Sequence, residues 1–129
     1  MQEDEQTLSV NALRQYLDLL SHSFATENLP AWSPSLRSRT ANRTSPTRHF
    51  TDPSIAAAVL RLTPERLLRD PETFGLLFES LCIRDLCIYA GKLGGRIFHY
   101  RDRSGLEADA VVSLDDGRWA PVEVKLGGA

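Results

Sequence analysis

The sequence predicts a mixed α/β chain of the α+β kind, in which one long helix is followed by a three-stranded meander. Three observations carry this. Asp70-Pro71 opens a helical stretch that runs to about Ala90, where Gly91, Gly94 and Gly95 stop it. Three extended runs follow, at 96–101, 106–114 and 119–126, parted by turn-forming stretches at 101–105 and 115–118. Ahead of these lies a helix followed by short extended pieces, so the strands do not alternate with helices as in a parallel sheet.

Residues 9–22 read as the first helix. Ser9 is a natural N-cap, and Val10, Leu13, Leu17 and Leu20 recur at three- and four-residue steps, with Tyr16 widening the stripe. An extended piece at 24–32 is stopped by Pro30 and Pro34, and another at 47–51 follows an arginine-rich stretch. Helix, strand, strand resembles the rear half of a winged helix. Asp52-Pro53 and Thr63-Pro64 each start a short helix, with a capping side chain and a proline at the first helical position. The expected division is a partial winged-helix-like segment over 1–52 and a second unit over 53–129.

Composition excludes several classes. Hydrophobic residues make up 42% and charged residues 25%, which is ordinary for a globular chain. There is no apolar run of membrane-spanning length and no secretory signal behind the acidic N-terminus, so a cytoplasmic protein is expected. Cys82 and Cys87 are five helical steps apart, about 140° around the axis, which argues for reduced thiols over a disulfide. His22, His49 and His99 are widely separated and show no zinc-ligand spacing. The net charge of −2 excludes a general polyanion binder, but 36–48 carries Arg37, Arg39, Arg43 and Arg48 and no acid, a candidate phosphate-contacting stretch.

The chemistry concentrates in the last quarter. Asp109 lies in one extended run, and Glu123-Val124-Lys125 in the next, with Asp115-Asp116-Gly117-Arg118 as the turn between them. Residues two apart in a strand share a face, so Glu123 and Lys125 do. If Asp109 joins them, two carboxylates and an amine converge, the set that metal-assisted phosphodiester cleavage needs. Glu79 stands in the long helix with Gly75, Leu76, Cys82 and Ile83 one turn away on either side. A carboxylate among apolar neighbours is costly unless paired or metal-bound. It reads either as a residue snorkelling from the stripe's edge or as an acid held over the sheet.

Helix with Glu79, a strand, a strand with Asp109 and a strand with Glu123-Val124-Lys125 resembles the PD-(D/E)XK nuclease core. More closely, the chain resembles the C-terminal region of a bacterial and archaeal family of AAA-type ATPases, in which a winged helix and a nuclease-like domain of unknown function follow the P-loop domain. The segments that carry the resemblance include Leu29-Pro30-Ala31-Trp32, Phe50-Thr51-Asp52-Pro53, Gly75-Leu76-Leu77-Phe78-Glu79, Gly105-Leu106-Glu107-Ala108-Asp109 and Val122-Glu123-Val124-Lys125. The resemblance implies that Asp109, Glu123 and Glu79 hold Mg²⁺ (or Mn²⁺), and that Lys125 orients water or offsets developing charge. Glu107 would be an auxiliary ligand or a salt-bridge partner.

It further implies DNA as a partner, held along its backbone by Arg37, Arg39, Arg43 and Arg48, and an ATPase partner or a second copy of the chain. A non-catalytic DNA- or protein-interaction module, or an inactive fragment of a longer ATPase, is the alternative. No G-x-x-x-x-G-K-[ST] sequence is present, so no ATP site of the P-loop type is expected. Because the nuclease core normally continues past this strand with a helix and another strand, the chain reads as a piece of a longer parent. Self-association through the uncovered sheet is then expected.

Overall fold

The computed structural model describes residues 8–34 and 45–127. The architecture is α+β, as the sequence predicts. Helix α1 spans Val10–His22, with the Ser9 side chain accepting the Ala12 N–H at 3.2 Å. Strands β1, Thr26–Leu29, and β2, Thr47–Phe50, pair antiparallel. Two short helices follow, α2 at Pro53–Val59 and α3 at Pro64–Arg69, each capped by the residue the sequence marks, Asp52 and Thr63. Helix α4, Pro71–Lys92, runs two residues past the expected Ala90, because its last turn continues to a cap at Leu93.

The meander consists of β3, Gly95–Arg101, β4, Glu107–Leu114, and β5, Trp119–Val122, in the order β3-β4-β5, all antiparallel. Gly117 takes φ 89°, the left-handed turn conformation that the Asp-Gly signal implies. The two sheets are stitched together at His99. Its N–H donates to the Pro30 carbonyl at 2.9 Å and its carbonyl accepts from Trp32 at 2.7 Å, making a parallel bridge between Ala31 and His99. The β1–β2 ribbon thus extends the meander beyond β3.

Helix α4 covers one face of this sheet. Ile83 and Ala90 of α4 close on Leu29, Ile97 and Ala110, with Leu86, Cys87, Val112 and Val122 packed around them. Both cysteines are free thiols. Where α4 passes into β3 the fit is close. A Cβ on Gly95 would lie 2.6 Å from Leu114 Cδ2 and 2.8 Å from the Ser113 carbonyl oxygen. Since the carbonyl belongs to the paired strand's backbone, relief requires the strand to move. Gly95→Ala should therefore lower stability by about 1–3 kcal/mol in a urea titration, and an unchanged midpoint would refute this.

The final strand is shorter than the sequence predicts. Extended structure was expected over 119–126, but pairing stops at Val122, so Glu123, Val124 and Lys125 lie beyond the strand. The reason is an irregularity in β4. Phe98 pairs with Val111 and Tyr100 with Ala108, so Asp109 and Ala110 together face the single residue His99. That is a β-bulge, and past it β4 offers β5 no regular ladder. Strand β5 is also blunted on its outer side. The pairs Val112–Ala120 and Ala110–Val122 direct the N–H groups of Ala120 and Val122 towards β4, which leaves position 121 facing outward. Pro121 occupies it and has no N–H to offer a neighbouring strand.

Candidate functional site

The bulge decides where Asp109 points. Ala108 and Val111 both line the sheet face away from α4, although they are three residues apart and simple alternation would put them on opposite faces. The extra residue absorbs the difference. Ala110 drops into the core under α4, and Asp109 turns to the helix side with it, close enough to Glu79 and His49 to perturb both electrostatically. One carboxylate oxygen of Asp109, Oδ2, accepts the Val124 N–H at 2.7 Å. The side chain therefore replaces the missing backbone acceptor and holds the segment after β5 against β4.

Glu79 is carried by α4 to within 4.0 Å of His49 in β2. Burial, the Asp109 charge and then the Glu107 charge push its carboxyl above the ordinary glutamate range. Glu107 itself is paired with Arg101, 3.4 Å away across the first positions of the β3–β4 register. Lys125 forms an ion pair with Glu123 at 2.8 Å, with both side chains well exposed. The Lys125 ammonium is held above its usual range by the hydrogen bond and charge of Glu123, and further by Asp109. So Glu79 on α4 and Lys125 after β5 both lie within electrostatic reach of Asp109 on β4, and Lys125 is paired with Glu123. A groove of about 410 Å³ between α4 and residues 122–125 lies alongside, walled by Phe78, Cys82, Leu86 and Tyr89.

Like charges gathered at half-buried positions favour a cation. The donor geometry does not match that charge pattern. Among the described residues no three His, Cys, Asp or Glu side chains stand close enough to hold a metal ion. One oxygen of Asp109 is engaged by Val124, and Glu123 by Lys125. The residues as placed do not fit the Mg²⁺ (or Mn²⁺) that the resemblance implies, and no chemical step is derived through such an ion.

The histidines, far apart in sequence, include two that the fold buries: His49 and His99 are 8% and 5% exposed, and the His99 charge bears on His49. His49 Nδ1 stands 4.0 Å from Glu79 Oε1, and its Nε2 is 3.2 Å from the Thr47 hydroxyl. His99 Nε2 lies 3.0 Å from the Ser45 carbonyl, to which it donates. Ser80, buried beside Glu79, accepts the Phe50 N–H at 3.3 Å. Burial pushes both imidazoles below the usual histidine range. For His49 the His99 charge adds to this and Asp109 opposes it, and for His99 the bond to Ser45 opposes it. The available signal was strand alternation over 47–51, which places Thr47 and His49 on one face.

Of the arginine stretch, Arg37, Arg39 and Arg43 lie outside the described residues. Arg48 is in β2 and points to solvent, opposite in sense to its buried neighbour His49. No helix of the described residues is long and apolar enough to cross a membrane.

Two family models match the chain. A domain of unknown function, DUF8612, matches residues 2–66, and a second, DUF4143, matches residues 74–129. No curated protein matches, and no solved structure does. The boundary falls between α3 and α4. The contacts of His49 with Glu79, of His99 with Ser45 and Pro30, and of Phe50 with Ser80 all cross from one matched region to the other.

Proposed function

The chain belongs to the DUF8612 family of unknown function, and on that footing we propose that it is a nuclease-like, DNA-associated module of a larger ATPase-family protein. The observation that carries the reading is that Glu79 and Lys125, from two other elements, both come within electrostatic reach of Asp109, the set of residues that the resemblance to a PD-(D/E)XK core implies. Engagement of Asp109 by Val124 and of Glu123 by Lys125 favours a non-catalytic module, one that docks on nucleic acid through charge and does not cut it. Lys125 would then serve as a backbone-phosphate contact, together with the exposed Arg48.

The test is a titration of labelled DNA followed by anisotropy, at several salt concentrations, alongside incubation of plasmid DNA with Mg²⁺ or Mn²⁺. Binding without cleavage is expected. Lys125→Ala should reduce the slope of log affinity against log salt by about 0.9 on duplex, one phosphate contact. Divalent-dependent cleavage that Asp109→Ala abolishes would overturn the non-catalytic reading in favour of a metal-dependent phosphodiesterase. Absence of DNA binding at low salt would defeat both.

A further inference from the structure

A cavity of about 440 Å³ opens on the sheet face away from α4. Its floor is Ala108 and Val111, and Trp32, Tyr100 and Trp119 wall it. The Trp32 and Trp119 ring centroids are 4.6 Å apart with planes tilted by 46°, and Tyr100 meets Trp32 edge-on at 6.1 Å. Three rings, from the segment after β1, from β3 and from β5, thus join into one aromatic surface. Trp119 remains 55% exposed on it, and Leu106 at the rim 64%. Among the lining residues a single side chain is charged, the acid Glu107.

Two features select the occupant. The first is the edge of the sheet. Pro121 lines the cavity and also holds the outward position of β5, where it has no N–H to give. A partner strand therefore finds no regular ladder here, and an occupant has to be held by its side-chain faces. A polyproline II segment suits this, because it needs no ladder, is extended before it binds, and docks its prolines on aromatic-lined grooves. Its carbonyls accept from donors such as the Trp119 indole N–H. The second feature is charge. Glu107 repels an anion and attracts a cation. Its ion pair with Arg101, at 3.4 Å, is exposed on both sides, so it is weak and a second cation can share the carboxylate.

We propose that this cavity binds a proline-rich segment of a partner protein in the polyproline II conformation, its prolines on the Trp32–Trp119 surface and a neighbouring arginine or lysine on Glu107. The site lies on the opposite face from Lys125 and does not rest on the nucleic-acid reading above.

The chain's two tryptophans both line the cavity, so their emission reports on it directly. The full chain is titrated with three labelled peptides, repeats of Pro-Pro-Arg, Pro-Pro-Glu and Ala-Ala-Arg. Binding is read from label anisotropy and cavity occupancy from tryptophan emission. The Pro-Pro-Arg repeat should bind and shift the emission, the Pro-Pro-Glu repeat should bind more weakly, and the Ala-Ala-Arg repeat should leave emission unchanged. Trp119→Ala and Trp119→Leu should weaken Pro-Pro-Arg binding roughly tenfold, and Trp119→Phe should restore most of it. Glu107→Gln should weaken it roughly threefold and reduce the preference for arginine over glutamate. Circular dichroism confirms that each variant folds, and Trp119→Leu, which keeps an apolar side chain, serves if the alanine variant does not. Equal binding of the Ala-Ala-Arg repeat overturns the proposal, since charge alone would then explain the binding. So does binding without a change in emission, a Trp119→Leu variant that binds like the parent, or a single-stranded oligonucleotide that shifts the emission where neither proline peptide does. A Glu107→Gln variant with the full arginine preference removes Glu107 from the site.

Discussion

Ile83→Ala should cost about 2–5 kcal/mol of stability, a large part of the roughly 5–15 kcal/mol available to a domain of this size. Ile83 is 3% exposed and sits where α4 meets β1, β3 and β4, against Leu29, Ile97 and Ala110. Its neighbours on the sheet come from three strands whose register is fixed by backbone pairing, so they cannot close on the space left behind. The loss should appear in urea as a lower midpoint with little change in slope. Leu68→Ala is the control: Leu68 is exposed on α3 and its truncation should shift the midpoint by less than about 0.5 kcal/mol. If the two variants behaved alike, α4 would not be the element that closes the core.

Mild acid should destabilise the fold. His49 and His99 both have folded-state affinities for protons below that of an unfolded histidine, because each is buried and, for His49, the His99 charge adds to the effect. The unfolded chain then binds more protons, so stability is fully present above about pH 6.5 and falls as pH drops below it, by up to about 1.4 kcal/mol per pH unit for each histidine. Glu79 acts in the opposite sense. Its carboxyl is raised in the folded state, so its contribution is present at low pH and lost as pH rises through its folded value. It blunts the acid loss in the lower part of the range, and the Asp109 charge near His49 works in the same direction. Urea midpoints measured from pH 8 to pH 5 should decline in the parent and decline less in His49→Gln. Glu79→Gln should make the decline steeper. A flat profile in the parent would show that the histidines are not sealed from water.

What the sequence reveals, and what it conceals, follows from how local each signal is. The three Asp-Pro or Thr-Pro helix starts are legible because a cap and its proline need only their own turn, and all three open helices in the structure. The Asp-Gly turn is legible for the same reason. The end of β5 was not. Nothing in Glu123-Val124-Lys125 announces that pairing has stopped, since the cause is a bulge one strand away. The partnership of His49 and His99 was likewise hidden. It depends on β1 docking beside β3 through Pro30, Ala31 and Trp32, a contact between residues nearly seventy positions apart. The relation of Glu79 to Asp109 was accessible only as an expectation, from an acid misplaced in an apolar stripe. The structure groups them, and Asp109 also proves to fasten the chain after β5.

The extra residue in β4 also constrains how this chain tolerates changes in length. Removing Asp109 or Ala110 would leave one residue of β4 opposite His99 and straighten the strand, at the cost of either the carboxylate that holds Val124 or the core methyl under α4. A single codon lost there would remove a group on which the core or the segment after β5 depends. One lost in the exposed turn at 102–105 would shorten a loop. Insertions and deletions in living relatives should therefore accumulate in the turns, with strand β4 keeping a constant count.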